Sequence, residues 1–187
     1  MNMRVSFELT DADLLHFRLI MQEARNAATR MTPEEIVAIA EQLLVDIGDD
    51  SAPGFIVERL QNLRLMIAMI TDLEWRLPHK DAGRVLNALA YFAEPDDLIP
   101  DHIPGLGFLD DAIMVELVVR ELKHEIDAYR DFCDFRDSVR GDAGAKATVS
   151  REDWLDNRRK ELQSRMRRRR KRSLQRAGGA AGPRLID

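Results

Sequence analysis

Prolines and glycines between two long apolar segments constrain the fold of this chain more than any other feature. Residues 94–111 are EPDDLIPDHIPGLGFLDD. Proline disrupts a helix interior, because it lacks the backbone N–H and clashes with the preceding turn. Glycine permits the positive φ angles that a tight return needs. The segment is therefore predicted to be the loop of a helical hairpin, with apolar side chains that close one end of a bundle. Its structural residues are Pro95, Pro100, Pro104 and Gly107.

The same loop is acidic, and its carboxylates allow two interpretations. Asp110 and Asp111 are expected to begin the next helix, where a carboxylate accepts backbone N–H groups and meets the positive end of the helix dipole. Asp97 and Asp101 are expected to accept backbone amides of the turn. The alternative is a divalent-cation site formed by all four carboxylates, since Ca²⁺, Mg²⁺ and Mn²⁺ prefer oxygen ligands. The spacing is not that of an EF-hand loop. Capping is the favoured interpretation, and the absence of both calorimetric heat and a melting shift with any of the three cations would exclude the alternative.

The residues around this loop resemble the signature of the YkvA-like family of unknown function. That signature is roughly Y-x-x-x-P-x-D-L-I-P-D, then P, G and LDD, and the likeness covers about residues 83–120. The matching residues are Tyr91, Pro95, Asp97, Leu98, Ile99, Pro100, Asp101, Pro104, Gly107, Leu109, Asp110 and Asp111. Ala93-Glu94 stands where an aromatic residue or serine is usual. The resemblance implies a helical hairpin and no known activity, and some relatives are membrane-associated.

The rest of the sequence is typical of helices. Thr10 with Asp13, and Thr32-Pro33 with Glu35, form helix-start patterns. Apolar residues then recur at helical spacing, and no segment alternates convincingly as a strand. The third helix is expected to run to Pro78, and its segment 63–73, which is apolar on most faces, is expected to lie at the centre of the bundle. One further helix is expected from Asp110-Asp111 to about Val139. The chain is predicted to be all-α, with a compact bundle of about five helices over residues 1–140 that includes the hairpin at 83–120. A flexible linker at 141–149, a protruding basic helix at 150–176 and a disordered tail at 177–187 are expected to follow.

The charge is distributed unevenly along the chain. Residues 1–149 contain 15 Lys and Arg against 28 Asp and Glu, whereas residues 150–187 contain 13 against 5. The net charges are −13 and +8, and together they give the −5 of the whole chain. An acidic body is therefore predicted to carry a basic tail.

The basic tail is the strongest candidate for a binding site. Arginine predominates in it, and arginine suits bidentate contact with phosphate. The predicted polyanion-binding residues are Arg158, Arg159, Arg165, Arg167, Arg168, Arg169, Arg170, Lys171, Arg172 and Arg176. A thin apolar seam, Leu155, Leu162 and Met166 with Trp154 nearby, is expected to dock the first half of this helix on the body or on a partner helix.

Three kinds of partner remain open for the tail. A nucleic acid, RNA or DNA, or a ribonucleoprotein is favoured, with low sequence specificity because no base-contacting element is evident. An anionic membrane surface is the second hypothesis. The third is an acidic protein surface, either this chain's own body or that of a second copy, which would allow self-association.

Enzymatic activity has no positive support in the sequence. None of His16, His79, His102 and His124 lies at a metal-ligand spacing, and the stretch Lys123-His124-Glu125 is expected to be exposed to solvent. The single cysteine, Cys133, is expected to be a small buried apolar residue and not a nucleophile. No phosphate-binding glycine loop, secretory signal or long apolar span is found. The chain is predicted to be a cytoplasmic, non-enzymatic adaptor that requires no cofactor.

Overall fold

The computed structural model describes residues 8, 10–47, 54–93, 109–141 and 151–177, and the regular elements within them are helices. These are α1 Asp11–Ala28, α2 Pro33–Ile47, α3 Gly54–Thr71, α4 His79–Leu89 with a short 3₁₀ turn Ala90–Ala93, α5 Leu109–Glu121, α6 Lys123–Gly141 and α7 Arg151–Ala177. The all-α prediction is confirmed. The loop residues 94–108, most of the predicted linker and residues 178–187 of the predicted disordered tail lie outside the described ranges.

Two helix starts follow the capping chemistry that the sequence predicted. The Thr10 Oγ1 accepts a hydrogen bond from the Asp13 backbone N–H, and the Asp13 carboxylate accepts one from the Thr10 backbone N–H at 2.8 Å. Thr32 and Glu35 make the same reciprocal pair at the start of α2, at 2.7 and 3.2 Å. Each pair satisfies backbone donors that a helix start leaves without partners.

Helix α3 lies at the centre of the bundle, as its apolar composition predicted. Ile56, Leu63, Met66 and Met69 are fully buried. The helix contacts α2, α4, α5 and α6, so it forms the axis around which the other elements pack. Apolar burial of this kind contributes about 25 cal/mol for each Å² removed from water, and it is the main source of stability in such a domain.

The turn after α3 begins earlier than the sequence indicated, at Thr71 and not near Pro78. The Asp72 carboxylate accepts the backbone N–H groups of Glu74 and Trp75 at 2.8 and 3.0 Å, which draws the chain out of the helix. Arg76 then has a φ of 47°, in the left-handed region. This conformation costs a non-glycine residue about 1–2 kcal/mol, so contacts elsewhere must hold the turn.

Helices α5 and α6 form almost one continuous helix, as predicted for the segment that follows the loop. The Leu122 N–H donates to the Val118 carbonyl, and the Ile126 N–H donates to the Leu122 carbonyl, both at 2.9 Å. The irregularity is therefore confined to one turn at the fully buried Leu122. Asp110 and Asp111 lie in the first turn of α5, where the sequence placed them, and both are buried.

Candidate polyanion-binding helix

The first half of α7 is part of the hydrophobic core. Leu155, Leu162 and Met166 are buried, so the predicted apolar seam is confirmed, while Trp154 stays 40 % exposed. Helix α7 lies along α6 over most of its length. Of the two surfaces on which this half was expected to dock, the chain's own body and a partner helix, the structure shows the body.

Polar side chains of α7 also hold the turn that follows α3. The Gln163 side-chain amide donates to the Trp75 and Arg76 carbonyls at 2.9 and 3.2 Å. The Arg159 guanidinium donates to the Glu74 carbonyl at 2.9 Å. These three carbonyls belong to the turn after α3, where no helix supplies them with donors. Helix α7 therefore holds the turn after α3, and it helps to keep Arg76 in its left-handed conformation.

A buried ion cluster joins α7 to α4 and α6. The Arg170 Nη1 lies 2.7 Å from the Asp81 carboxylate and 2.5 Å from the Glu125 carboxylate. The Arg84 Nε lies 3.3 Å from the same Glu125 oxygen. Asp81 is 2 % exposed and Glu125 is fully buried. Burial opposes the charge on Arg170, but the two carboxylates outweigh it and raise the pKa of the guanidinium. Such a cluster is stable only while both signs of charge are present.

Glu125 and His124 correct a prediction, since the stretch around them was expected to be solvent-exposed. Glu125 is fully buried, and the ring of His124 is half-buried with its Nε2 2.8 Å from the Ser173 Oγ. Only Lys123 of the three is exposed. Glu125 and His124 are shielded from solvent because α7 covers this face of α6. The charges of residues 123–125 do not show that another helix packs over them.

Three further basic residues of the predicted set contact acidic groups of the chain. Arg165 pairs with Asp131 on α6 at 2.5 Å, and Arg158 pairs with Glu161 on α7 at 2.9 Å. Arg167, which is 45 % exposed, lies 3.6 Å from Asp81. Together with Arg159 and Arg170, half of the ten predicted polyanion-binding residues are engaged within the chain.

The other half of the predicted set differs from these five residues. Among the described residues, none of them has an ion-pair partner, and all are exposed. They are Arg168, Arg169, Lys171, Arg172 and Arg176, which we call the outer set. The structure thus divides one uniform run of basic residues into five that pair with groups of the chain and five that stay exposed.

A second network, which sequence reasoning missed, joins the turn after α3 to α6. The Asp72 carboxylate accepts hydrogen bonds from the Tyr129 hydroxyl at 3.0 Å and from the Arg136 Nη1 at 2.6 Å. Burial raises the pKa of Asp72, but the Trp75 backbone N–H, Arg136 and the other donors outweigh burial and lower it. Trp75 is fully buried beside this network and packs on Tyr129. The sequence offered one local signal for this network, which is Asp72 itself, since aspartate favours turns by accepting the backbone N–H two residues on.

The other candidate sites have fewer described residues. Asp97 and Asp101, with Pro95, Pro100, Pro104 and Gly107, lie outside the described ranges, as does His102. Within the residues that the structure describes, no group of three or more His, Cys, Asp or Glu is placed to hold a metal ion. The divalent-cation hypothesis for the loop therefore stays a prediction. Cys133 is half-buried, and burial raises the pKa of its thiol, which disfavours the reactive thiolate.

Comparison with known proteins identifies a family for the region of the hairpin. The model of a family described as "protein of unknown function (DUF1232)" matches residues 83–117, from the middle of α4 through the loop into α5. The "uncharacterized membrane protein YkvA" of Bacillus subtilis (strain 168) is 45 % identical over 76 residues, which cover 37 % of this chain and 70 % of that protein. No solved structure matches. In the described part of the chain, no helix is both long and apolar enough to cross a membrane. The predicted likeness is confirmed, and the chain belongs to the DUF1232 family of proteins of unknown function.

Proposed function

We propose that the chain is a non-enzymatic binding module whose helix α7 contacts a polyanion, with nucleic acid as the first candidate. The observation that supports this proposal is the outer set: five exposed basic side chains for which the described residues supply no ion-pair partner. They lie on a helix that Leu162, Met166 and Gln163 fix against the body. A cationic surface on a rigid support loses little conformational entropy on binding.

The charge of the body confines this contact to α7. Residues 1–149 carry a net charge of −13, so a polyanion is repelled from the rest of the surface. Binding through phosphate contacts releases counterions and weakens as the salt concentration rises. Phosphate contacts alone carry no sequence information, so low sequence specificity is expected.

Fluorescence anisotropy with labelled single-stranded RNA and duplex DNA tests the proposal. In an outer-set variant, Arg168, Arg169, Lys171, Arg172 and Arg176 are replaced by Gln. We expect its affinity to fall by at least about tenfold at moderate salt, because five phosphate contacts are lost. The salt dependence of the binding constant should flatten as well.

A matched control separates this contact from net charge. Arg30, Lys80, Arg120, Lys123 and Arg130 are exposed basic residues outside α7. Their replacement by Gln changes the net charge by the same amount. If this control loses as much affinity as the outer-set variant, or if the unaltered chain binds neither nucleic acid, the proposal is wrong.

An anionic membrane surface is the second candidate, and the name of one relative favours it. YkvA of B. subtilis is called a membrane protein. Leu174, which is 39 % exposed among the basic residues, would add a shallow apolar contact. Each basic residue near anionic headgroups contributes about 1 kcal/mol. Sedimentation with vesicles of phosphatidylglycerol and phosphatidylcholine, compared with phosphatidylcholine alone, distinguishes this candidate. Recovery on the anionic vesicles without nucleic-acid binding would replace the first proposal with the second.

A further inference from the structure

The rotation of α7 about its own axis is fixed along most of its length. Leu162 and Met166 are buried, and Arg170 enters the ion cluster with Asp81 and Glu125. Ser173 meets the His124 ring at 2.8 Å. These contacts follow one another at steps of three or four residues and so lie on one side of the helix. The directions in which the remaining basic side chains point are therefore set by the body.

Two basic stripes result, and they differ in electrostatic character. Arg168, Arg172 and Arg176 recur every four residues, are exposed and have no ion-pair partner within the described ranges; we call them the arginine row. Each step of four residues advances about 6 Å along the helix. The other flank consists of Lys160, Arg167 and Lys171, which recur at steps of seven and four residues. Lys160 pairs with Asp156 at 2.5 Å, and Arg167 lies 3.6 Å from Asp81. The arginine row keeps its full charge, whereas the other flank is partly neutralised.

The surface beside α7 is not a broad cationic plane. Helix α6, which packs against α7, exposes Asp134 and Asp137 and carries the surface pair Lys123–Asp127. A lipid bilayer presents a plane of headgroups, and a duplex presents two strands of phosphate. Either ligand would bring negative charge toward these carboxylates. A single strand can instead follow one line of cations.

We infer that the ligand of the arginine row is one strand of nucleic acid, bound by successive backbone phosphates to Arg168, Arg172 and Arg176. The inference rests on the proposed function and narrows it. In an extended strand, neighbouring phosphates are separated by a distance comparable to one step of the row. A charged groove or ridge that follows the backbone is how proteins bind single strands without sequence preference. Three contacts predict a salt slope of about −2, at about 0.7 for each phosphate of a single strand.

The test compares two variants with equal charge changes on the same helix. In the row variant, Arg168, Arg172 and Arg176 are replaced by Gln; in the flank variant, Lys160, Arg167 and Lys171 are replaced by Gln. Oligouridylates of increasing length, the matching RNA duplex and phosphatidylglycerol vesicles are the probes. We expect the row variant to lose nearly all of the salt slope, and the flank variant to keep a slope of about −2 with a smaller loss of affinity. Circular dichroism melting checks that both variants fold.

The outcomes separate the inference from the proposed function. Equal losses in the two variants would mean that total charge and not the row binds RNA; the inference would fail and the binding module would stand. If the duplex bound more tightly than the single strand, the inference would also fail, and the binding module would again stand. If none of the probes bound, or if only the vesicles did, the nucleic-acid proposal and the inference would fail together.

Discussion

The two halves of α7 are attached to the body by different forces. Residues 151–166 are held by buried apolar side chains and by hydrogen bonds to the carbonyls after α3. Residues 167–177 are held mainly by one arginine between two buried carboxylates. Apolar contacts are insensitive to salt and to the loss of any single charge. A buried ion cluster becomes strongly destabilising when one partner is removed. The second half is therefore the part of α7 whose attachment depends on charge.

Removal of the Arg170 side chain is expected to have the largest effect. Arg170→Ala leaves Asp81 and Glu125 buried with only the partial compensation of Arg84 and Arg167. The free energy of unfolding should fall by about 3–5 kcal/mol, as it does when one partner of a buried pair is lost. Urea denaturation measures this, with Arg168→Ala as the control; that exposed residue should change stability by no more than about 0.5 kcal/mol. Equal effects of the two substitutions would show that the cluster does not hold the helix.

Truncation of a side chain in the apolar seam tests the attachment of the first half of α7. Leu162→Ala removes a fully buried side chain and should cost about 3 kcal/mol, within the usual range of about 2–5 for a buried leucine. Leu174→Ala, at a residue that is 39 % exposed, is the matched control and should cost less than about 1 kcal/mol. Added sodium chloride should leave the loss at Leu162 nearly unchanged. A loss at Leu162 that disappears in salt would contradict an apolar attachment.

The network around Asp72 should make stability depend on pH in the acid range. Its effect on stability should be smaller than those of Arg170 and Leu162. The pKa of Asp72 is lowered in the folded state, so this carboxylate stabilises the fold above its ordinary pKa of 3.8. That contribution is lost as the pH falls through the lowered value. Asp72→Asn should therefore be less stable at neutral pH, and the difference in Tm from the unaltered chain should shrink in acid.

Asp134→Asn, which changes an exposed carboxylate of α6, is the control for this titration. Its melting curves should follow those of the unaltered chain across the same pH range. A difference between Asp72→Asn and the unaltered chain that stays constant down to the most acidic point would show that Asp72 does not contribute through its charge.

Local chemistry explains what the sequence could predict. The helix starts at Thr10 and Thr32, the central position of α3 and the apolar seam of α7 all follow from short-range spacing. The ion cluster does not, because Asp81, Glu125 and Arg170 come from three helices and meet only after these helices pack. No short pattern marks Glu125 as buried. The basic residues of α7 show the same limit. Their spacing in the sequence does not indicate which arginines pair with acidic groups of the chain and which stay exposed. The roles of Asp97 and Asp101, for which no contacts are described, stay predictions.

The hydrogen bonds from Gln163 to the Trp75 and Arg76 carbonyls join residues that are 88 and 87 positions apart. Contacts between such distant parts of a chain slow folding, because much conformational freedom is lost before they form. During synthesis, the turn after α3 leaves the ribosome long before the helix that completes it. Until α7 packs, the strained backbone at Arg76 therefore lacks the contacts that hold it. The core surface that contacts Leu162 is uncovered over the same interval. Until α7 is synthesised and docks, the apolar surface that it covers stays exposed to solvent. Over that interval the chain is open to aggregation and to chaperones, and the interval ends when the arginine-rich helix packs.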